Sequence, residues 1–293
     1  MVKNMKKIVI LGCENSHANS FLRFIRDEKK FADVQVLGVY SEETEASKRL
    51  SEEFGVNVMN SLDEYVDQVD GVVITARHGD NHYKYAKPYL KRGVPTFIDK
   101  PITCSESEAV EFMNACISNG VKITGGSCLK HASGIKKIKQ EHVSQENGKT
   151  LSAIFRAPVS ITNAYGNFYF YSQHLVEMVL ESLGRYPKSV LATKNGNVIT
   201  TVFKYADFDV TGIFIDGSYI YSATIFSTKG ESGGIFDVDD KCFYDEFDEF
   251  YQLLCGEEQK ISYKDFISPV FVINAIMRSL ESEKEETIKE INL

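Results

Sequence analysis

Between Ile8 and Thr124 two hydrophobic periods alternate, and few folds accommodate that rhythm. Apolar runs of strand length occupy residues 8–11, 34–40, 72–74, 96–98 and 121–124. Stretches with helical spacing lie between them, at 19–29, 43–54, 81–91 and 105–119. Strands that alternate with helices imply a parallel sheet covered on both faces. Right-handed crossovers then predict an α/β Rossmann-like, doubly wound fold.

The pattern changes after Gly125-Gly126. A helical stretch at 134–143 precedes strand-like runs at 152–157, 189–193, 198–205, 208–215 and 219–227, with a helical interruption at 173–183. Asp216-Gly217, between two alternating runs, predicts a hairpin. Helical spacing returns at 245–255 and 265–281. The expected organisation is a dinucleotide-binding domain over 1–125 and an α+β domain over 126–293 with a mainly antiparallel open sheet. The open face of that sheet is expected to serve oligomerisation. Val202, Phe214, Tyr219, Tyr221 and Phe226 supply apolar and aromatic surface to that sheet, divided between core and a subunit interface.

Composition removes several function classes. Acidic residues outnumber Lys and Arg, 41 to 33, for a net charge of −8. A binder of phosphate backbones would show a basic stripe instead, so no nucleic acid is expected. No apolar stretch approaches the roughly 18 residues that would span a bilayer, so no membrane partner is expected. The N-terminal text MVKNMKK runs straight into a strand-like segment, which predicts no signal peptide and a cytoplasmic protein. The six cysteines form no C-x-x-C pair and fit neither a zinc site nor a disulfide framework. They read as reduced thiols used in packing.

A first strand that ends in glycine and leads into a helix is where a dinucleotide fold holds pyrophosphate. From residue 12 the text is G-C-E-N-S-H, so of the G-x-G-x-x-G spacing only Gly12 survives. Glu14 stands in place of the second glycine, His17 in place of the third. The cofactor-binding loop is therefore expected to comprise Gly12, Cys13, Glu14, Asn15, Ser16 and His17. Ser16 would cap the helix, and a protonated His17 would partly offset Glu14. Ser41 stands at the end of the second strand, where an acid usually binds the adenosine ribose. NAD and NADP stay open at this point.

The segment from Asp70 reads DGVVITARHGDNHYKYAKPYLKRGVPTFIDKPITC. It resembles the Gfo/Idh/MocA family of oxidoreductases, whose members carry a T-P-x-x-x-H turn and, eighteen residues after that His, the Lys of a Glu-Lys-Pro motif. Lys100 follows His82 at that spacing, and Asp99 replaces the Glu. The turn, T-A-R-H-G-D-N-H, is two residues longer than the usual form. In the second half His174 matches the family's helix His, Glu177 replaces an Asp three residues on, and Phe170 replaces an acid four residues before. The likeness runs over nearly the whole chain.

The resemblance implies hydride transfer between NAD or NADP and a sugar, polyol or related hydroxy compound. It implies Lys100 as general acid/base, His174 assisting and Glu177 orienting His174 or the substrate. Thr75, Ala76, Arg77, His82, Asp99 and Lys100 would border the cofactor, and a homodimer or homotetramer would form through the second sheet. The aromatic run YGNFYFY at 165–171 would wall the pocket, and Lys130-His131 would touch substrate. His78-x-x-x-His82 with Asp80 has metal-like spacing, but Gly79 and the role of the turn argue against it, and no metal is expected. The lost glycines and the lost acid at Phe170 motivate an alternative: a ligand or redox sensor, or an accessory subunit, that no longer binds a dinucleotide.

Overall fold

The structure is a computed structural model and describes residues 5–293. The five early apolar runs become β1 (Lys6–Leu11), β2 (Val34–Tyr40), β3 (Gly71–Ile74), β4 (Thr96–Asp99) and β5 (Ile123–Gly126). All pair in parallel, in the order β2-β1-β3-β4-β5. β3, β4 and β5 are buried along their whole length, as continuous apolar runs require. The crossovers are α1 (Ser16–Asp27), α2 (Thr44–Phe54), α3 (Asp80–Ala86) and α4 (Glu106–Ser118). The strand order reverses between β1 and β3, so the crevice at their C-terminal ends is the switch point where open α/β sheets bind ligands.

After β5 come α5 (Ser133–Ser144), β6 (Thr150–Val159), α6 (Tyr169–Leu183), β7 (Ser189–Asn195), β8 (Val198–Lys204), β9 (Asp209–Asp216), β10 (Tyr221–Ser227) and β11 (Gly230–Phe236). α7 (Asp240–Leu254), α8 (Tyr263–Ser282) and the short β12 (Glu286–Thr287) close the chain. The second sheet has the order β11-β10-β6-β9-β8-β7-β12, antiparallel except where β6 meets β9.

That order corrects the expected hairpin at Asp216-Gly217. β9 and β10 do not pair; β6 lies between them, parallel to one and antiparallel to the other. β11 was not expected either. Its text, GESGGIF, lacks alternation. Gly233 lies so close to β10 that a Cβ would stand 2.0 Å from the Ala223 carbonyl oxygen.

The sheets divide the chain near residue 126, but the packing does not. α7 adds Phe247 and Phe250 to the core around α1, beside Phe21 and Phe97. α8 gives Phe266, Ile267, Val270 and Phe271 to the other face of the parallel sheet. Its next turns, Val272 to Ile276, enter the core of the second sheet. On that sheet Phe214 is buried and Tyr219 exposed, while Val202, Tyr221 and Phe226 are half-buried. Among the described residues no helix is long and apolar enough to cross a membrane.

Candidate active site

Gly12 ends β1 with φ +74°, and a Cβ there would lie 2.5 Å from the backbone of Ala76. The glycine is thus required by the turn after β3, whatever ligand sits above it. Thr75 fastens that turn by donating its hydroxyl to the Gly12 carbonyl at 3.0 Å. Asn15, not Ser16, is the N-cap of α1; its Oδ1 accepts the Ser16 N–H at 2.7 Å. The same side chain donates from Nδ2 to Asp99 Oδ2 at 2.6 Å. Cys13 is turned into the core, its Sγ 3.3 Å from Ser47 Oγ, and burial pushes the thiol up to about 11. It therefore does not offer its side chain to a cofactor.

Glu14 is buried, with both carboxylate oxygens engaged. Ser41 Oγ donates to Oε2 at 2.7 Å, and the Arg77 N–H donates to Oε1 at 3.0 Å. The residue laces the end of β2 to the turn after β3. Arg77 continues the contact outward, its Nη1 donating to Tyr165 Oη at 2.9 Å with the guanidinium 5.2 Å from that ring.

His17 does not offset Glu14. It is 2 % exposed, packed among Phe21, Phe97 and Phe243, with Nδ1 3.2 Å from Asp99 and Nε2 3.2 Å from Glu246 of α7. Burial, opposed by Asp99, drives His17 below the usual histidine range. Burial likewise raises Asp99 and pushes Glu246 up to about 8. His82 is also turned inward. Its ring nitrogens face the Ala76 carbonyl at 2.8 Å and the Ile102 carbonyl at 3.2 Å, stapling the 75–82 turn to the chain after Lys100. It points away from any pairing with His78.

Lys100 follows β4, joined to Pro101 by a cis peptide, and is 4 % exposed. Its Nζ lies 4.9 Å from the Phe170 ring centroid and 5.2 Å from that of Tyr171, at the start of α6. The Tyr171 ring is in turn 5.0 Å from His174. Phe170 stands where the acid is lost and meets the lysine through its π-face. His174 Nδ1 is 2.7 Å from Ser127 Oγ, just past β5. Ser127 Oγ also accepts the Leu129 N–H; with its own proton turned to Nδ1, the ring proton of His174 would sit on Nε2. Burial first, then the charge of Lys100, holds His174 well below the usual range.

Two expectations are corrected here. Glu177 does not orient His174; its Oε1 accepts from Arg185 Nη1 at 2.6 Å. Ser127 holds the histidine, and only the short polar residue after Gly125-Gly126 hinted at it. Lys130 donates to the Gly125 carbonyl at 2.7 Å and lies 3.2 Å from Glu249. With His131 and Arg185 it lines a cavity of about 430 Å³ that neither Lys100 nor His174 reaches.

Residues 6–127 match the Gfo/Idh/MocA family, described as an oxidoreductase family with an NAD-binding Rossmann fold. The match takes in the first sheet and its helices, less than half of the chain. An uncharacterized oxidoreductase of Streptococcus pneumoniae is 30 % identical over 96 residues, 32 % of this chain. The match spans only 26 % of that relative. Over the whole length the fold resembles a putative myo-inositol dehydrogenase from Sinorhizobium meliloti, with TM-score 0.84, 14 % identity, and coverage of 97 % of this chain and 100 % of that one. It also resembles GenD2 from gentamicin A biosynthesis, solved in complex with NAD, with TM-score 0.84, 14 % identity, and coverage of 98 % and 97 %. The first part thus matches an NAD-binding Rossmann fold of an oxidoreductase family, and the whole chain shares the two-part fold of these solved structures.

Proposed function

We propose that the chain is an NAD-dependent dehydrogenase that oxidises the CH–OH group of a sugar, polyol or related hydroxy compound. One observation carries the reading. Lys100 from the end of β4 and His174 from α6 both pack against the Tyr171 ring, at the C-terminal edge of a Rossmann sheet. Residues 1–125 would hold the dinucleotide and 126–293 the substrate, with copies joined through the open sheet. Free thiols at all six cysteines fit a cytoplasmic setting.

The residues fit a dinucleotide. Gly12 and the N-terminus of α1 form the anion end of the switch point. Glu14, hydrogen-bonded to Ser41, puts a carboxylate beside the end of β2. That is where an acid would accept from a ribose diol and repel a 2′-phosphate, which favours NAD over NADP. Bound there, a nicotinamide would supply the hydride acceptor. Lys100 takes the hydroxyl proton at Nζ. His174, fixed by Ser127, donates from Nε2–H to the reacting oxygen and orients it. Phe170 and Tyr171 shield the lysine from water.

The alternative sensor or accessory reading draws on Glu14, whose oxygens are already satisfied by Ser41 and Arg77. Calorimetric titration with NADH separates the two: binding favours the enzyme, and none in a folded sample favours the sensor. A polyol and sugar screen then follows. Lys100→Ala should lower turnover by at least about 10²-fold while NADH affinity stays within a factor of two. Unchanged turnover would remove Lys100 from the chemistry.

A further inference from the structure

His17, Cys128 and Glu246 come from three separate parts of the chain: the first turn of α1, the 3-10 turn after β5, and α7. They meet in the interior, where α7 packs against α1 and the turn after β5. Each is buried, at 2 %, 2 % and 0 % exposure. One ligand-capable atom from each lies within 4.8 Å of the others. Among the described residues, neither ring nitrogen of His17 and neither carboxylate oxygen of Glu246 has a hydrogen-bond partner. Buried polar atoms are almost always satisfied, and a buried carboxylate without a partner is costly. His17 Nε2 and the Glu246 carboxylate face each other at 3.2 Å without a hydrogen bond, an arrangement that calls for a positive centre between them.

We propose that His17, Cys128 and Glu246 form a binding site for a divalent late transition metal of the zinc class. A nitrogen, sulfur and oxygen set favours such an ion over magnesium or calcium, which take oxygen ligands. Zinc bonds of about 2.0–2.3 Å place tetrahedral ligand atoms roughly 3.2–3.8 Å apart. His17 Nε2 and Glu246 Oε2 are already 3.2 Å apart. Cys128 needs a shift of no more than about 1 Å to complete the set.

Charge and surroundings agree. A dication with one thiolate, one carboxylate and a neutral imidazole is neutral overall, which a dry pocket tolerates. Asp99 lies 3.2 Å from His17 Nδ1, the nitrogen that faces away from Glu246. Carboxylates commonly hold the second nitrogen of a metal-bound histidine in this way. Phe21, Phe97 and Phe243 wall the imidazole. Three protein ligands leave one coordination position for water or another small ligand. Because Glu246 belongs to α7, the ion would also clamp the second half of the chain onto the Rossmann sheet.

The test is metal binding by the full chain, stripped with chelator and titrated with Zn²⁺ and Co²⁺. It does not depend on turnover or on NADH. The expected result is one Zn²⁺ per chain, a higher Tm on loading, and a Co²⁺ spectrum with tetrahedral visible bands and thiolate charge transfer. Glu246→Gln and Cys128→Ala should each weaken binding at least tenfold, and Cys128→Ala should abolish the thiolate band. Cys128→Ala removes little volume, so it serves if Glu246→Gln fails to fold. The half-exposed group His78, Asp80 and Cys104 is the internal control, and Cys104→Ser should leave binding intact. No stoichiometric binding, or binding lost in Cys104→Ser but kept in Cys128→Ala, would overturn the proposal.

Discussion

Glu14 is held at both carboxylate oxygens, so its charge stands at a defined place beside Ser41 rather than loose in the glycine loop. Glu14→Gln keeps the shape and removes the charge. It should raise the ratio of NADPH to NADH affinity on the order of tenfold, about 1.4 kcal/mol. An unchanged ratio, measured by calorimetry, would place Glu14 away from the ribose. Lys100 and His174 were singled out because a spaced motif marks them in the text, and the structure brings both against the Tyr171 ring. Ser127 was not, because a hydroxyl becomes an orienting group only when a distant helix brings the imidazole within 2.7 Å. Glu177 was misread for the mirror-image reason. It lies one helical turn from His174 on α6, yet Arg185, beyond the end of that helix, takes its carboxylate. Spacing along a helix shows which residues share a face and not what that face meets.

At the scale of elements, the Rossmann half was readable almost strand by strand because its buried parallel strands are continuous apolar runs. The sheet of the second half was less so. Local turn chemistry at Asp216-Gly217 suggested a hairpin, but β6 from far earlier in the chain pairs between β9 and β10. Tight hairpins do occur between β7 and β8 and between β8 and β9, where the register is unbroken. β11 carries three glycines in seven residues, so its propensity is low and its pairing with β10 supplies the order. The β1–α1 turn gives a direct test. Gly12→Ala would force a side chain into the left-handed region and against the Ala76 backbone. It should cost about 3 kcal/mol, read as a Tm fall of roughly 5 °C. A stable Gly12→Ala protein would show that the two turns can separate.

At the scale of the whole molecule, the buried histidines should make stability fall on mild acidification, against the opposite pull of Glu246, whose carboxyl is raised to about 8. Burial holds His82 at about 4 against the pull of two carbonyls. Burial and Lys130 hold His131 at about 4 against Glu249, with Lys136 and Asp245 also nearby. Both folded values lie below the unfolded value of 6.5. The unfolded chain therefore binds these protons first. The stability is fully present above about 6.5 and is lost as pH falls toward 4, by on the order of 1.4 kcal/mol per ring at pH 5.5. Denaturant melts between pH 7.5 and 5 should show stability falling more steeply in the parent chain than in His131→Gln; identical slopes would show that the His131 ring is not buried neutral. By itself the sequence determined the period of each element, the doubly wound half and the motif around Lys100, because these rest on contacts between near neighbours and on residue type. Only the tertiary structure decided that β6 splits two later strands, that α7 and α8 return to cover the first sheet, and that His17 meets Glu246 instead of a phosphate. Those outcomes depend on which buried surfaces meet across long chain separations, and a local pattern carries no record of them.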